Sequence, residues 1–282
     1  PARLAGAQTT RIGPDGLLYV VAEKRGVIVR YNPDTLEFVD DFLSVSASFG
    51  ATGMDFRDGA IWIGSYSGDL VRRYSLSTGQ LLDTAVAPGA GGLNGADNGM
   101  TFGPDGRLYV PGYDSHSIVR HDPATGNTTT FIAPRSGSLF NARGILFEPG
   151  GSSLLVSSEG NGKVLRFSAS DGAFIAEVAI GFRNPTGLAF HPDGSLLVAH
   201  RADLGAAQRV LARMQVATAT PEWRVASPPE GAQPLDAAAL RALEPSIQGP
   251  AHAWLLPGEG HIDTVATMTA LHSGAAGADW HW

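Results

Sequence analysis

Short runs in which apolar and polar residues alternate, broken by Gly, Pro and Asp, fill most of this chain. A period of two between turn residues predicts half-buried strands joined by tight hairpins. The clearest runs are "LLYVV", "AIWIG", "RLYVP", "SLLVS" and "SLLVA". Each follows a shorter apolar segment ("TTRI", "TGMDF", "NGMTF", "RGILF", "TGLAF") across a turn written "GPDG", "RDG", "GPDG", "EPGG" or "HPDG". Pro presets φ for the first turn position, Asp bonds its own backbone, and Gly takes the positive φ that closes the hairpin. A third strand ("VIVRY", "DLVRRY", "SIVRH", "KVLRF") and a fourth ("EFVDDF", "LLDTAV", "TTTFIA", "AFIAEV") complete each unit.

The unit recurs about every 45 residues, with starts near Gln8, Thr52, Asn98, Arg143 and Thr186. The interval from turn Asp to the end of the third strand is identical in three copies: Asp15 to Tyr31, Asp58 to Tyr74 and Asp105 to His121. Four antiparallel strands repeated at this period predict the blades of an all-β propeller. A β-sandwich is the competing architecture, but its strands do not normally recur as a four-strand phrase. A fainter start at "GPAHAWLLPGEG", 249–260, predicts a sixth blade from about residue 250, and so one six-bladed domain spanning 1–282. That last blade is one strand short, and "PARLAGA", 1–7, is expected to supply the strand and close the ring, because native folds avoid a bare sheet edge. The segment 227–249 reads as an insertion before the last blade, with a short helix in "DAAALRALEP" capped by Asp236 and stopped by Pro245.

Composition narrows the possible partners. The 36 Gly and 18 Pro suit a chain full of turns, and a formal charge of −7 without a basic stretch argues against nucleic acid, whose phosphates require clustered Lys and Arg. No cysteine is present, which removes disulfides, thiolate metal sites and a Cys nucleophile together. No apolar run reaches the length of a membrane span. A signal peptide is not visible, but the sequence starts without Met, so the compartment is left open, with an exported (periplasmic or extracellular) location favoured.

The repeat also locates the candidate site, because the inner ends of blades converge on an axis. One set of equivalent positions precedes the first strand: Gln8, Thr52, Asn98, Arg143, Thr186 and, by the fainter sixth start, Ala251. A second follows the second strand: Glu23, Tyr66, Tyr113, Glu159 and Arg201, preceded by Ala22, Ser65, Gly112, Ser158 and His200. These positions vary between charged, aromatic and amide types, so the fold does not dictate them and they are open to ligand contact. Arg143 needs a partner near a crowded axis, and Glu159 or Asp97 is expected to provide it. The alternatives are a structural ion pair plugging the channel and a cation that binds a carboxylate or phosphate. Of the histidines, His116, His121 and His191 fall in turn or outer-strand contexts and are expected at the surface, whereas His200 sits at the pocket rim. "HAWLLPGEGHID" carries His252 and His261 nine apart, with Glu259 and Asp263 beside the second, without a zinc spacing. No nucleophile elbow, Walker loop or dinucleotide fingerprint is present.

The stretches "NGMTFGPDGRLYVPGYDSHSIVRHDPATG" and "NPTGLAFHPDGSLLVAH" resemble the NHL-like and SMP-30/gluconolactonase-like six-bladed propellers, and are similar to the streptogramin (virginiamycin B) lyases. The resemblance covers roughly residues 8–200. The lactonase branch implies one divalent cation on the axis (calcium, magnesium or zinc), with Asn98 as the best-matching ligand. The lyase branch implies a general base in a late blade, for which His252 is the nearest counterpart. The expectation is therefore a propeller that binds a small molecule. It would act as a hydrolase or lyase on lactones, esters or related compounds, with Glu159, His200 and His252 as catalytic candidates. Glu23, Tyr66, Tyr113, Arg143 and Arg201 would contact substrate. A non-catalytic binding or scaffold propeller, possessing a protein partner, is the alternative.

Overall fold

The computed structural model describes residues 2–190, 196–200, 233–235 and 253–255. The chain divides into two compact units, Pro1–Gln215 and Val216–Trp282, each taken here by itself.

In the first unit the predicted hairpins form four-stranded antiparallel meanders. Blade 1 comprises β1 (Ala7–Ile12), β2 (Leu18–Ala22), β3 (Val27–Tyr31) and β4 (Phe38–Ser44); blade 2 comprises β5 (Ala51–Arg57), β6 (Ala60–Ser65), β7 (Leu70–Ser75) and β8 (Leu81–Val86). Blade 3 comprises β9 (Thr101–Phe102), β10 (Leu108–Gly112), β11 (Ser117–His121) and β12 (Thr128–Ile132); blade 4 comprises β13 (Ala142–Phe147), β14 (Ser153–Ser158), β15 (Lys163–Ser168) and β16 (Phe174–Ile180). A fifth begins as the hairpin β17 (Pro185–Phe190) and β18 (Leu196–His200). The repeat is kept in register: Leu18, Ile61, Leu108 and Leu154 pair with Tyr31, Tyr74, His121 and Phe167. The turn Asp works as its chemistry predicts. Asp15 accepts the Leu17 amide and the Tyr19 hydroxyl, and Asp105 repeats this with Arg107 and Tyr109.

Consecutive blades pack face to face. Tyr19, Val21 and Ile28 of blade 1 share one core with Met54, Ile61 and Ile63 of blade 2. Trp62 and Val71 of blade 2 meet Met100, Leu108 and Val110 of blade 3. Tyr109 and Ile118 of blade 3 meet Ile145, Leu154 and Val156 of blade 4. One contact recurs at each interface: the aromatic of a blade's second strand meets edge-on the first-strand Phe of the next. The pairs are Tyr19–Phe56 at 4.9 Å, Trp62–Phe102 at 5.3 Å and Tyr109–Phe147 at 5.0 Å between centroids. These stacked blades are a β-propeller, with four complete blades and one further hairpin among the described residues.

Three expectations need correction or limit. Ala2–Leu4 wind a single 3-10 turn instead of an outer strand, because Arg3 lies 3.7 Å over the Phe38 ring and its carbonyl accepts Arg25 Nη1 at 3.0 Å. His121 is buried at 2% exposure, not at the surface: it ends β11 against Trp62 of blade 2, 5.9 Å between ring centres, and its Nδ1 lies 2.9 Å from Thr128 Oγ1. The helix expected around 236–245 lies outside the described residues. In the second unit, β19 (Gln233–Leu235), inside the expected insertion, pairs antiparallel with β20 (Ala253–Leu255), inside the expected sixth blade start.

Candidate functional site

The two sets of axial positions occupy matching places in the backbone. In blades 1, 2, 4 and 5 the first strand is interrupted by a bulge where its register with the second strand shifts: between Ala7 and Thr10, Ala51 and Met54, Ala142 and Ile145, and Pro185 and Leu188. Gln8, Thr52, Arg143 and Thr186 sit in those bulges, which re-aim a side chain as bulges do. The second set follows the second strand and is fixed by one repeated bond. The amides of Glu23, Tyr66, Tyr113 and Glu159 donate to the carbonyls of Gly6, Gly50, Gly95 and Asn141. The fold thus specifies the backbone at these places while leaving the side chain open.

Blade 3 departs from the others. Its bridge Ala96–Gly112 matches Ala51–Ser65, yet two residues, Asp97 and Asn98, stand before Gly99 where blade 2 has Thr52 alone before Gly53. The extra residue is an acid, and the bulge sends it to the neighbouring blade. Asp97 Oδ2 accepts Arg143 Nε–H at 3.0 Å, and its Oδ1 accepts the Asn98 amide at 2.6 Å. Glu159 Oε2 lies 2.7 Å from the same Arg143 Nε as an ion contact, off the line of the N–H. Both expected partners of Arg143 are therefore present. The side chains of Asp97, Glu159 and Arg143 are 1%, 3% and 10% exposed, and the guanidinium lies 5.2 Å over the Tyr113 ring. Burial pushes the Asp97 carboxyl above the usual carboxylate range, against the opposing pull of Arg143.

The remaining axial residues make smaller groups. Gln8 Nε2 donates to Glu23 Oε2 at 2.5 Å, so blades 1 and 4 both join the bulge residue to the residue after the second strand. The half-buried rings of Tyr66 and Tyr113 are 6.2 Å apart, and Tyr66 donates its hydroxyl to Asp114 at 2.7 Å. Burial, then the bond to Asp114, raise the Tyr66 phenol well above its ordinary value. Thr52 donates to the Ala96 carbonyl at 2.6 Å and joins blade 2 to blade 3. Asn98 is 8% exposed; its carbonyl accepts Thr9 Oγ1 at 2.9 Å, while its Nδ2 is buried without a hydrogen-bond partner. His200 closes β18 opposite Pro185, and Arg201, Ala251 and His252 lie outside the described residues.

Among the described residues the donor set beside Asn98 does not fit a divalent cation. Asp97 and Glu159 both face the fixed charge of Arg143, which would repel a second cation at the same place. Among the described residues no group of three or more His, Asp or Glu is placed to hold a metal. No helix among the described residues is long and apolar enough to cross a membrane.

Sequence reasoning found the two axial sets by counting but assigned Asp97 only the role of a possible counter-ion. The signal for more is in the repeat: "ATGM" in blade 2 against "ADNGM" in blade 3 shows an extra residue at an axial position.

The fold and site together define a β-propeller whose axis carries a buried acid–Arg–acid cluster. Known propellers match that architecture. No family model and no curated protein matches the chain. Among solved structures it is similar to virginiamycin B lyase from Staphylococcus aureus (TM-score 0.55, 18% identity, 70% of this chain and 64% of the lyase). It is also similar to hydrazine synthase from Kuenenia stuttgartiensis (TM-score 0.55, 16% identity, 70% and 56%) and to a candidate gluconolactonase (TM-score 0.54, 16% identity, 69% and 71%). The match spans less than two thirds of the lyase. At these identities the likeness is one of fold.

Proposed function

We propose that this chain is a small-molecule-binding propeller whose ligand sits on the axis against Arg143, Tyr113 and Tyr66, with Glu23 at its edge. The observation that supports this most is the repeated amide bond of Glu23, Tyr66, Tyr113 and Glu159, which holds two carboxylates and two phenols in one backbone setting, with Tyr113 and Glu159 against the buried Arg143. A fold that needed only a plug would have no use for unlike groups there. Screening a small-metabolite set by backbone amide NMR tests the proposal. Binders should shift resonances of residues 97–99, 113 and 143–144 together, and a screen without such a cluster of shifts would refute it.

Turnover of lactones, esters or related compounds is a narrower form of the same reading, with Glu159, His200 and His252 as catalytic candidates. Its support is the structural likeness to a lyase and a candidate gluconolactonase. Lactone and ester assays, with and without chelator and with added calcium, magnesium or zinc, decide it. The scaffold reading has its own support: Asp97 and Glu159 contact Arg143 directly, as in a structural plug. It predicts that axial substitutions change stability alone.

A further inference from the structure

Arg143 is held by one edge. Among the described residues its guanidinium makes a single hydrogen bond, Nε–H to Asp97, and Glu159 crowds the same nitrogen at 2.7 Å. The two acids are therefore gathered on Nε, and the terminal amines Nη1 and Nη2 take no hydrogen bond there. This arrangement is unusual for a guanidinium whose only task is to neutralise two buried acids. The best geometry for that task is a fork, with two parallel N–H donors on one carboxylate. Here the fork is left over. The second unspent donor nearby is Asn98 Nδ2, buried without a partner on a residue 8% exposed. A buried amide N–H left without an acceptor costs free energy, so its persistence calls for an explanation. The two are linked through one side chain. Asp97 accepts the backbone N–H of Asn98 on Oδ1 and Arg143 Nε–H on Oδ2, so the backbone that carries Asn98 and the guanidinium meet on a single carboxylate at the blade 3–blade 4 junction. The Tyr113 ring against the guanidinium adds an apolar wall.

The donors left unspent among the described residues, Arg143 Nη1 and Nη2 and Asn98 Nδ2, call for an acceptor; Glu159 Oε2, buried beside them, keeps its ion contact to Arg143 Nε. The fork favours a planar pair of oxygens. Two flanking acids disfavour a dianion such as a phosphate monoester, which would face both Asp97 and Glu159. Resting on the reading of the axis as a ligand site, we infer that Arg143 Nη1 and Nη2, with Asn98 Nδ2, form the recognition site for the carboxylate of a small organic monoacid whose apolar body lies against Tyr113.

The test uses the full chain with four probes: propionate, lactate and benzoate, each beside its uncharged amide, and phenyl phosphate. Binding is followed by amide NMR and by isothermal titration. A monocarboxylate should shift residues 97–99 and 143–144 and bind at least tenfold more tightly than its amide. Arg143→Lys keeps a cation near Asp97 and Glu159 but removes the fork, and is expected to weaken the carboxylate by about 10- to 100-fold with little change for the amide. Asn98→Ala, which leaves the ion cluster whole, should weaken it by about tenfold and serves where the lysine variant does not fold. Equal affinity for acid and amide, unchanged affinity in both variants, or tighter phenyl phosphate would overturn the carboxylate assignment while leaving an axial ligand site standing. If no probe moves the axial residues but the wider metabolite screen does, the class is wrong and the site is right. If neither moves them, both readings fall.

Discussion

Replacing Arg143 by Met removes the cation that contacts both Asp97 and Glu159 while roughly keeping its volume. Their side chains are 1% and 3% exposed, so the variant leaves the Asp97 carboxyl buried without the guanidinium it bonds and takes the same ion contact from Glu159. Breaking a buried ion pair by removing one partner typically costs about 3–5 kcal/mol, because the remaining charge stays desolvated. We expect a loss of that size at pH 7, read as the drop in urea midpoint by tryptophan fluorescence. The loss should shrink as pH falls, since a protonated carboxyl no longer needs the cation. Burial already raises the Asp97 carboxyl in the wild type, and a raised acid favours the fold most at low pH. That contribution is lost as pH rises from 3.8 through the raised value. Adding Asp97→Asn to the variant should recover part of the loss at pH 7, so the two substitutions would be non-additive in the stabilising direction. A variant within about 1 kcal/mol of wild type at pH 7 would refute the reasoning, because the cluster would then be solvated and Arg143 would not be its counter-ion.

Three other outcomes follow from the packing and the titrating groups. A Cβ at Gly99 would fall on the Arg143 carbonyl, one at Gly144 on the Thr186 carbonyl, and one at Gly53 would lie 2.6 Å from the Asp97 carbonyl. Alanine there should destabilise in the order Gly99, Gly144, Gly53, by about 1–3 kcal/mol or more, and a different order of thermal midpoints would show that blades do not meet backbone to backbone at the axis. His121 is held neutral by burial, its basicity lowered below 6.5, so its stabilising contribution is complete above pH 6.5 and is lost as pH falls through the folded value. His121→Tyr, copying Tyr31 and Tyr74 of blades 1 and 2, should flatten stability below pH 6.5 by at most about 1.4 kcal/mol per pH unit; an unchanged slope would count against it. Asp114→Asn should lower the Tyr66 phenol partway towards 10, since burial remains, as seen in its ultraviolet titration; no movement would show that the hydrogen bond is not maintained in solution.

What was legible in the chain was what local chemistry decides. "GPDG" makes its turn through the Asp15 and Asp105 bonds to their own loops, and "RLYVP" forms the strand its pattern predicts, although Leu108–Gly112 is buried at every position and not half-buried. Both are properties of a few adjacent residues, and they were repeated often enough to reveal the blade. Contacts between blades were less visible. His121 looks like an exposed outer-strand residue because nothing near it in sequence shows Trp62, nearly sixty positions earlier, waiting on the neighbouring sheet. Residues 2–4 read as a spare strand for the same reason, since the Phe38 ring that captures Arg3 belongs to a strand far along the chain. The axial positions fall between these cases. Counting located them, because the repeat fixes their backbone, but the pairing of Asp97 with Arg143 depends on two bulges facing each other.

The axis owes its distinct chemistry to one inserted residue. With Asp97 removed, blade 3 would read Ala96, Asn98, Gly99, Met100, the pattern of Ala51, Thr52, Gly53, Met54 in blade 2. Deleting Asp97 should therefore give the first strand of blade 3 the single-residue bulge of blade 2 and leave Arg143 with its contact to Glu159. Asp97→Ala differs in one respect: it keeps the extra residue and its bulge while removing the acid that justified them. If the insertion serves the site and not the fold, the deletion will be the more stable of the two by urea midpoint, although a lost residue in a strand is ordinarily the harsher change. It will also retain the packing of Trp62 on Phe102, which tryptophan emission reports. If the deletion is instead the less stable, the extra residue is needed for blade 3 to meet blade 4, and the acid is there because a charge at that junction had to be answered once Arg143 was in place.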